Sequence, residues 1–123
     1  MMFYLKSRTM EQLNKIELRG VVGMVRVRTV GDRKVANFSL ATSRAYTKKD
    51  GSPVMETEWH TVVAWEGGLI TDLTCIDKGA KLYVCGRMTY RKWTGNDGQD
   101  HYDSEVVAAK IEMINEALTG QIL

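Results

Sequence analysis

The chain has 123 residues, of which 26% are charged, with a formal net charge of +2, a length that suits one domain burying its own core. No run approaches the roughly 18 to 20 consecutive apolar residues that span a bilayer, and the first residues lack the basic start and apolar run of a secretion signal, so a cytoplasmic protein with no membrane partner is expected. Charge is unevenly spread: residues 1–49 hold 11 of the 17 basic and 3 of the 15 acidic side chains, a net +8 against −6 for the remainder, which hints at one positive surface.

Residues 14–22 alternate, with Ile16, Leu18 and Val22 opposite Lys15, Glu17 and Arg19, the period of a half-buried strand. Gly20 interrupts the row and predicts a bend or a close backbone approach. Met24 to Val30 resumes the alternation, Gly31-Asp32-Arg33-Lys34 reads as a turn, and Val35 to Thr42 places Ala36, Phe38 and Leu40 on one buried face. Residues 43–55, with Asp50-Gly51-Ser52-Pro53 inside them, predict a long mobile hairpin loop. The strand Glu56 to Trp65 sets Trp59, Thr61, Val63 and Trp65 on one face and Glu58, His60, Val62 and Ala64 on the other. Leu69, Ile70, Leu73 and Ile76 then predict a short amphipathic helix ending before Gly79. Ala80 to Trp93 and Gln99 to Ile111 follow as strands joined by the turn signal Thr94-Gly95-Asn96-Asp97-Gly98. The expected fold class is all-β with one short helix, a five-stranded Greek-key barrel. It occupies residues 14–114, with an N-terminal extension over 1–13 and a short tail over 115–123.

The chemistry sits on aromatic rings beside cations. Trp is highly buried on average, so composition alone favours a core role for Trp59, Trp65 and Trp93. Arg91-Lys92-Trp93 and Arg44-Ala45-Tyr46-Thr47-Lys48-Lys49 shift that balance, because phosphate attraction and base stacking together are what a single nucleic-acid strand requires of its binder. His60 lies opposite the tryptophans, and His101 is the only other histidine, so catalysis or metal binding by His60 is not expected. Cys75 and Cys85 have neither CxxC spacing nor the density of a disulfide scaffold and read as buried thiols. Asp97, Asp100, Asp103 and Glu105 surround a turn and read as solvated. No catalytic motif, phosphate loop or zinc spacing is found, so no enzyme activity, cofactor or metal is expected.

Val35-Ala-Asn-Phe-Ser-Leu-Ala-Thr-Ser43, Thr57-Glu-Trp-His-Thr-Val-Val63, Lys78-Gly-Ala-Lys-Leu-Tyr-Val84 and Arg91-Lys-Trp-Thr94 resemble the bacterial single-stranded DNA-binding protein family. Gly98-Gln-Asp-His-Tyr and Ser104-Glu-Val-Val107 extend the resemblance in order, over about residues 14–114. It implies an OB-fold subunit, a homotetramer built as a dimer of dimers, and roles in DNA replication, recombination and repair at the nucleoid. It also implies base stacking on Tyr46, Trp59, Trp65 and Trp93, phosphate contacts at Lys48, Lys49, Arg91 and Lys92, and a subunit-interface role for His60. Three departures stand out: a shorter segment between Gly23 and Val35, an N-terminal stretch with no common counterpart, and a sequence that closes on Asn115-Glu-Ala-Leu-Thr-Gly-Gln-Ile-Leu123. The last lacks the family's acidic tip, so tip-mediated recruitment of enzymes is not expected, and residues 112–123 are expected to pack locally or stay briefly frayed. The competing reading is a primosome-type OB-fold accessory protein that contacts a helicase; the four matched aromatics argue against it.

Overall fold

The structure is a computed structural model, and it describes residues 9–70, 72–115 and 119–122. Five long strands dominate: β1 (Ile16–Val30), β2 (Arg33–Thr47), β3 (Pro53–Trp65), β4 (Lys81–Thr94) and β5 (Asp100–Met113), with a short β6 (Gln121–Ile122) near the end. They hydrogen-bond in the order β1-β4-β5-β3-β2-β6, and β1 pairs with β2 as well, so the first five close into the barrel expected from the strand order.

Closure depends on β1 serving two partners. Ile16 to Val21 pair with β4, from Ile16↔Gly86 to Val21↔Lys81. Val21 to Val30 pair with β2, from Val21↔Ala41 to Val30↔Arg33. The bend comes at Gly20, whose backbone lies so close to β2 that an added β-carbon would stand 2.1 Å from the Ala41 carbonyl oxygen. Just beyond, the register steps between Val22 and Val25, and the Met24 N–H donates to Ser39 Oγ at 2.9 Å. This bulge inverts the alternation. Ile16, Leu18 and Val22 face the core before it and Val25 after it, which is why both halves of the strand look amphipathic although their parities differ.

Alternate residues of the other strands complete the interior: Ala36, Phe38 and Leu40 from β2, Val62 and Ala64 from β3, Leu82 and Val84 from β4, Val106 and Ala108 from β5. Each fully buried Leu or Val contributes roughly 1.5–3 kcal/mol relative to exposure.

Two predicted elements differ. The amphipathic helix is reduced to a single 3-10 turn over Leu73–Cys75. Its would-be first turn is used otherwise, because the Gly67 N–H donates to the Ile70 carbonyl at 2.6 Å and the Ile70 N–H to the Gly67 carbonyl at 2.9 Å. Asp72 Oδ1 then caps the short turn, accepting from the Thr74 N–H at 2.8 Å and the Thr74 hydroxyl at 2.6 Å. Ile70, Leu73 and Ile76 still enter the core while Leu69 is exposed; the apolar spacing reports burial, and burial here does not need a helix. The long loop over 43–55 is mostly strand. Pairing of β2 with β3 runs unbroken from Val35↔Trp65 to Thr47↔Pro53, leaving a turn at 48–52 held by Lys48 N–H to Ser52 O and Gly51 N–H to Lys48 O, both 2.9 Å.

At the other edge, β6 lies parallel to β2 with Arg44↔Gln121 and Ala45↔Ile122. It covers part of the backbone that β2 presents once β1 has turned away beyond Ala41. Residues 1–8 of the N-terminal extension and 116–118 and 123 of the tail lie outside the described residues. Asn14, just before β1, grips the edge of β4: its Nδ2 donates to the Met88 carbonyl at 2.8 Å and its Oδ1 accepts from the Met88 N–H at 3.0 Å. Gly20→Ala forces β1 away from the Ala41 carbonyl, and we expect it to destabilise the domain by about 1–3 kcal/mol in a urea titration, as overpacking does.

Candidate nucleic-acid interface

The barrel closes between β3 and β5 through only two parallel pairs, Val62↔Val106 and Val63↔Val107. Upstream of those pairs the two strands separate. The β2–β3 and β4–β5 hairpins therefore leave the barrel at the same end, and a groove of about 560 Å³ opens between them, lined by Trp59, His60 and Thr61 on one side and Met88, Arg91 and Tyr102 on the other.

Trp59 is 62% exposed. Its benzo edge rests on β1 at Gly23, where a β-carbon would come within 2.6 Å of Trp59 Cζ3; the missing side chain is what lets the indole settle against the sheet. Trp65, six residues along the same face, is half-buried and has the Arg33 guanidinium 5.2 Å from its ring centroid. Tyr46 lies near the hairpin tip on the alternate face, with the Arg44 guanidinium 5.5 Å from its ring. Arg44 Nη2 bonds Glu56 Oε2 at 2.8 Å. Hydrogen bonding to Tyr46 and then to Arg44 holds the Glu56 carboxyl below the usual carboxylate range, and the same contact with Glu56 pushes the Tyr46 phenol up.

Trp93 is on the other hairpin, 45% exposed. One face stacks on His101 with centroids 4.4 Å apart and planes inclined by 21°, and its Nε1 donates to Asp103 Oδ2 at 2.7 Å. An indole backed and pinned in this way is a rigid plate. None of the four rings belongs to the core cluster. The structure gathers Trp59 and Trp65 on one face of the β2–β3 hairpin, puts Tyr46 on the other, and sets Trp93 on the separate β4–β5 hairpin.

The cations fall into two groups. Lys48 and Lys49 stand exposed at the β2–β3 tip with no carboxylate partner among the described residues. Arg91 and Lys92 face acids across the strand: Arg91 Nη2 is 3.8 Å from Asp103 Oδ2 and Lys92 Nζ is 3.2 Å from Asp100 Oδ2. His101 Nε2 lies 3.6 Å from Asp97 Oδ1. Of the acids that read as solvated, Asp100 and Asp103 are thus counter-charges to Lys92 and Arg91, and Asp97 lies beside the His101 ring. His60 alternates with Trp59 as its parity requires and bonds Thr42 Oγ1 at 2.8 Å, yet it borders the same groove, so the two faces are less separate than the alternation implied. The sequence reading passed over His101, Tyr102 and Tyr90. The signal available was their position on either side of the turn that follows Trp93, which tyrosine's ordinary frequency in strands obscured.

Residues 13–114 match the single-strand binding protein family. The chain belongs to that family. It is 42% identical over 99 residues to the single-stranded DNA-binding protein of Rickettsia felis, covering 77% of this chain and 65% of that protein. Its identity to the single-stranded DNA-binding protein of Rhizobium meliloti is 39% over 112 residues, covering 87% of this chain and 62% of the relative. The chain thus spans a little under two thirds of the length of these relatives. Among solved structures, an SSB of Plasmodium falciparum in complex with ssDNA aligns with a TM-score of 0.70 and 31% identity, covering 87% of this chain and 97% of that one. A deletion mutant of the single-stranded DNA binding protein from Thermus aquaticus aligns with a TM-score of 0.66 and 26% identity, covering 84% of this chain and 51% of that one. The OB-fold expected from the resemblance is therefore the fold of this family member.

Because Asp100 and Asp103 neutralise the cations beside Trp93, the double variant Asp100→Asn with Asp103→Asn should elute from heparin at higher salt than the parent protein. Elution at unchanged salt would mean that these pairs do not restrain the cations.

Proposed function

We propose that this chain binds and protects single-stranded DNA without strict sequence preference, in replication, recombination or repair. In this reading bases stack on Tyr46, Trp59, Trp65 and Trp93, and phosphates meet Lys48, Lys49, Arg91 and Lys92. The observation that carries it is Trp59, a mostly exposed indole seated on Gly23 at the rim of a groove whose far wall holds Arg91 and Tyr102. A structural tryptophan would bury its ring; this one is fixed against the sheet and still offered to solvent. Aromatic planes read any base through its π-face, and flanking cations hold the backbone without reading sequence. The protein acts as a binder without catalysis, in the DNA-containing compartment of a bacterial cell.

Assembly completes the proposal. The family relationship supports a homotetramer, and we place half-buried His60 with Thr42 at a subunit contact. His60→Tyr should shift the assembly toward smaller species on dilution, followed by sedimentation; an unchanged tetramer at low micromolar protein would remove His60 from the interface.

DNA binding is tested by titrating intrinsic tryptophan fluorescence with oligo(dT) at several salt concentrations. Strong quenching is expected, with affinity falling as salt rises because phosphate contacts release counterions. Trp59→Ala and Trp93→Ala should each cost roughly 1–3 kcal/mol of binding. Folded variants that bind like the parent would show that these rings are bystanders.

A further inference from the structure

Side chains on the β4–β5 hairpin alternate, so it has two faces. Arg91, Trp93, His101 and Asp103 share one. The register Tyr90↔Ser104 and Lys92↔Tyr102 places Tyr90, Lys92 and Tyr102 together on the other. Tyr90 is 76% exposed and Tyr102 is 70% exposed. A strand keeps such large rings in water at some cost in apolar exposure, and two of them around a cation form a contiguous patch of the kind that marks a binding surface.

This face continues the candidate interface. Tyr102 lines the groove opposite Trp59, and Tyr90 is its diagonal neighbour across the strand pair, within reach of an aromatic side chain. Lys92 stands opposite Tyr102 in register and two residues along the strand from Tyr90, and its ammonium is held 3.2 Å from Asp100 by an exposed pair. Exposed pairs of this sort are weak, so a phosphate can take the place of the carboxylate. Two open rings and an exchangeable cation repeat, on the second face, the composition found around Trp93 on the first.

We propose that the Tyr90–Lys92–Tyr102 face is a second base-stacking surface for single-stranded DNA, with the two rings taking bases and Lys92 a phosphate. A strand leaving Trp59 along the groove reaches Tyr102 first and Tyr90 next. The proposal rests on the single-strand reading above and adds a site to it. Single-stranded DNA is favoured over a second protein copy as occupant because the face carries an exchangeable cation and opens into the groove that holds Trp59 and Arg91.

The test compares Tyr90→Ala, Tyr102→Ala, their combination, and the combined Tyr90→Phe with Tyr102→Phe variant, titrating each with oligo(dT) while tryptophan quenching is followed. Trp93→Ala serves as the control for the first face, and sedimentation reports assembly. Each lost ring should weaken binding by about 5-fold or more, the double Phe variant should bind within about 2-fold of the parent because it keeps both planes, and assembly should not change. A double Ala variant that binds like the parent, while Trp93→Ala is weakened, would overturn the second surface and leave the single-strand reading standing. Weakened binding accompanied by loss of assembly would also overturn it, since the face would then be a subunit contact. A parent protein that fails to bind oligo(dT) at all would bring down both.

Discussion

The architecture depends on the bend in β1. One strand must pair with β4 along its first half and with β2 along its second, and it can do so only because Gly20 brings its backbone against the Ala41 carbonyl. A side chain there would push β1 off β2 and loosen the closure between them. The bulge at Gly23 and Met24 follows within one turn of the pleat. It inverts the alternation, so that Val25 follows Val22 toward the core, and Gly23 within it offers the bare backbone on which Trp59 sits.

Closure on the far side is minimal by contrast. Two parallel pairs between β3 and β5 suffice to seal the core, and the remainder of both hairpins is left to project. That economy produces the site. Parallel neighbours that pair briefly and then diverge create a wedge, whereas continued pairing would have filled it with backbone hydrogen bonds. The same alternation that buries Val62 and Ala64 turns Trp59 and Trp65 outward, so packing and presentation are two outcomes of one strand period.

Charge on this surface is restrained. The cations beside Trp93 already face Asp100 and Asp103, while Lys48 and Lys49 at the other hairpin tip have no such partners among the described residues. The surface therefore presents two kinds of positive charge, one without a carboxylate partner among the described residues and one paired with a carboxylate. The exposed pairs add little stability; of the two acids only Asp103 also touches the indole, through Trp93 Nε1, and both pairs keep the local charge near neutral.

Strand periodicity, turn chemistry and the pairing of rings with cations were legible in the sequence because each is local. They placed the five strands, the inward row of β2, and Trp59 and Trp65 together on one face of β3, without deciding whether that face was core. The resemblance carried by the motifs from Val35 to Val107 added the family. Tertiary structure decided what depends on residues far apart. The apolar run from Leu69 to Ile76 needed only burial, and a bridge between Gly67 and Ile70 consumed the turn that would have started a helix. The segment 43–55 became strand because two chain segments paired in register across it, which no local turn signal reports. The groove, the imidazole behind Trp93, the acids opposite Arg91 and Lys92, and the exposed face of Tyr90 and Tyr102 all arise from cross-strand neighbours. Their sequence separation hides them until register is fixed, since a shift of one residue would turn every one of those side chains to the other face.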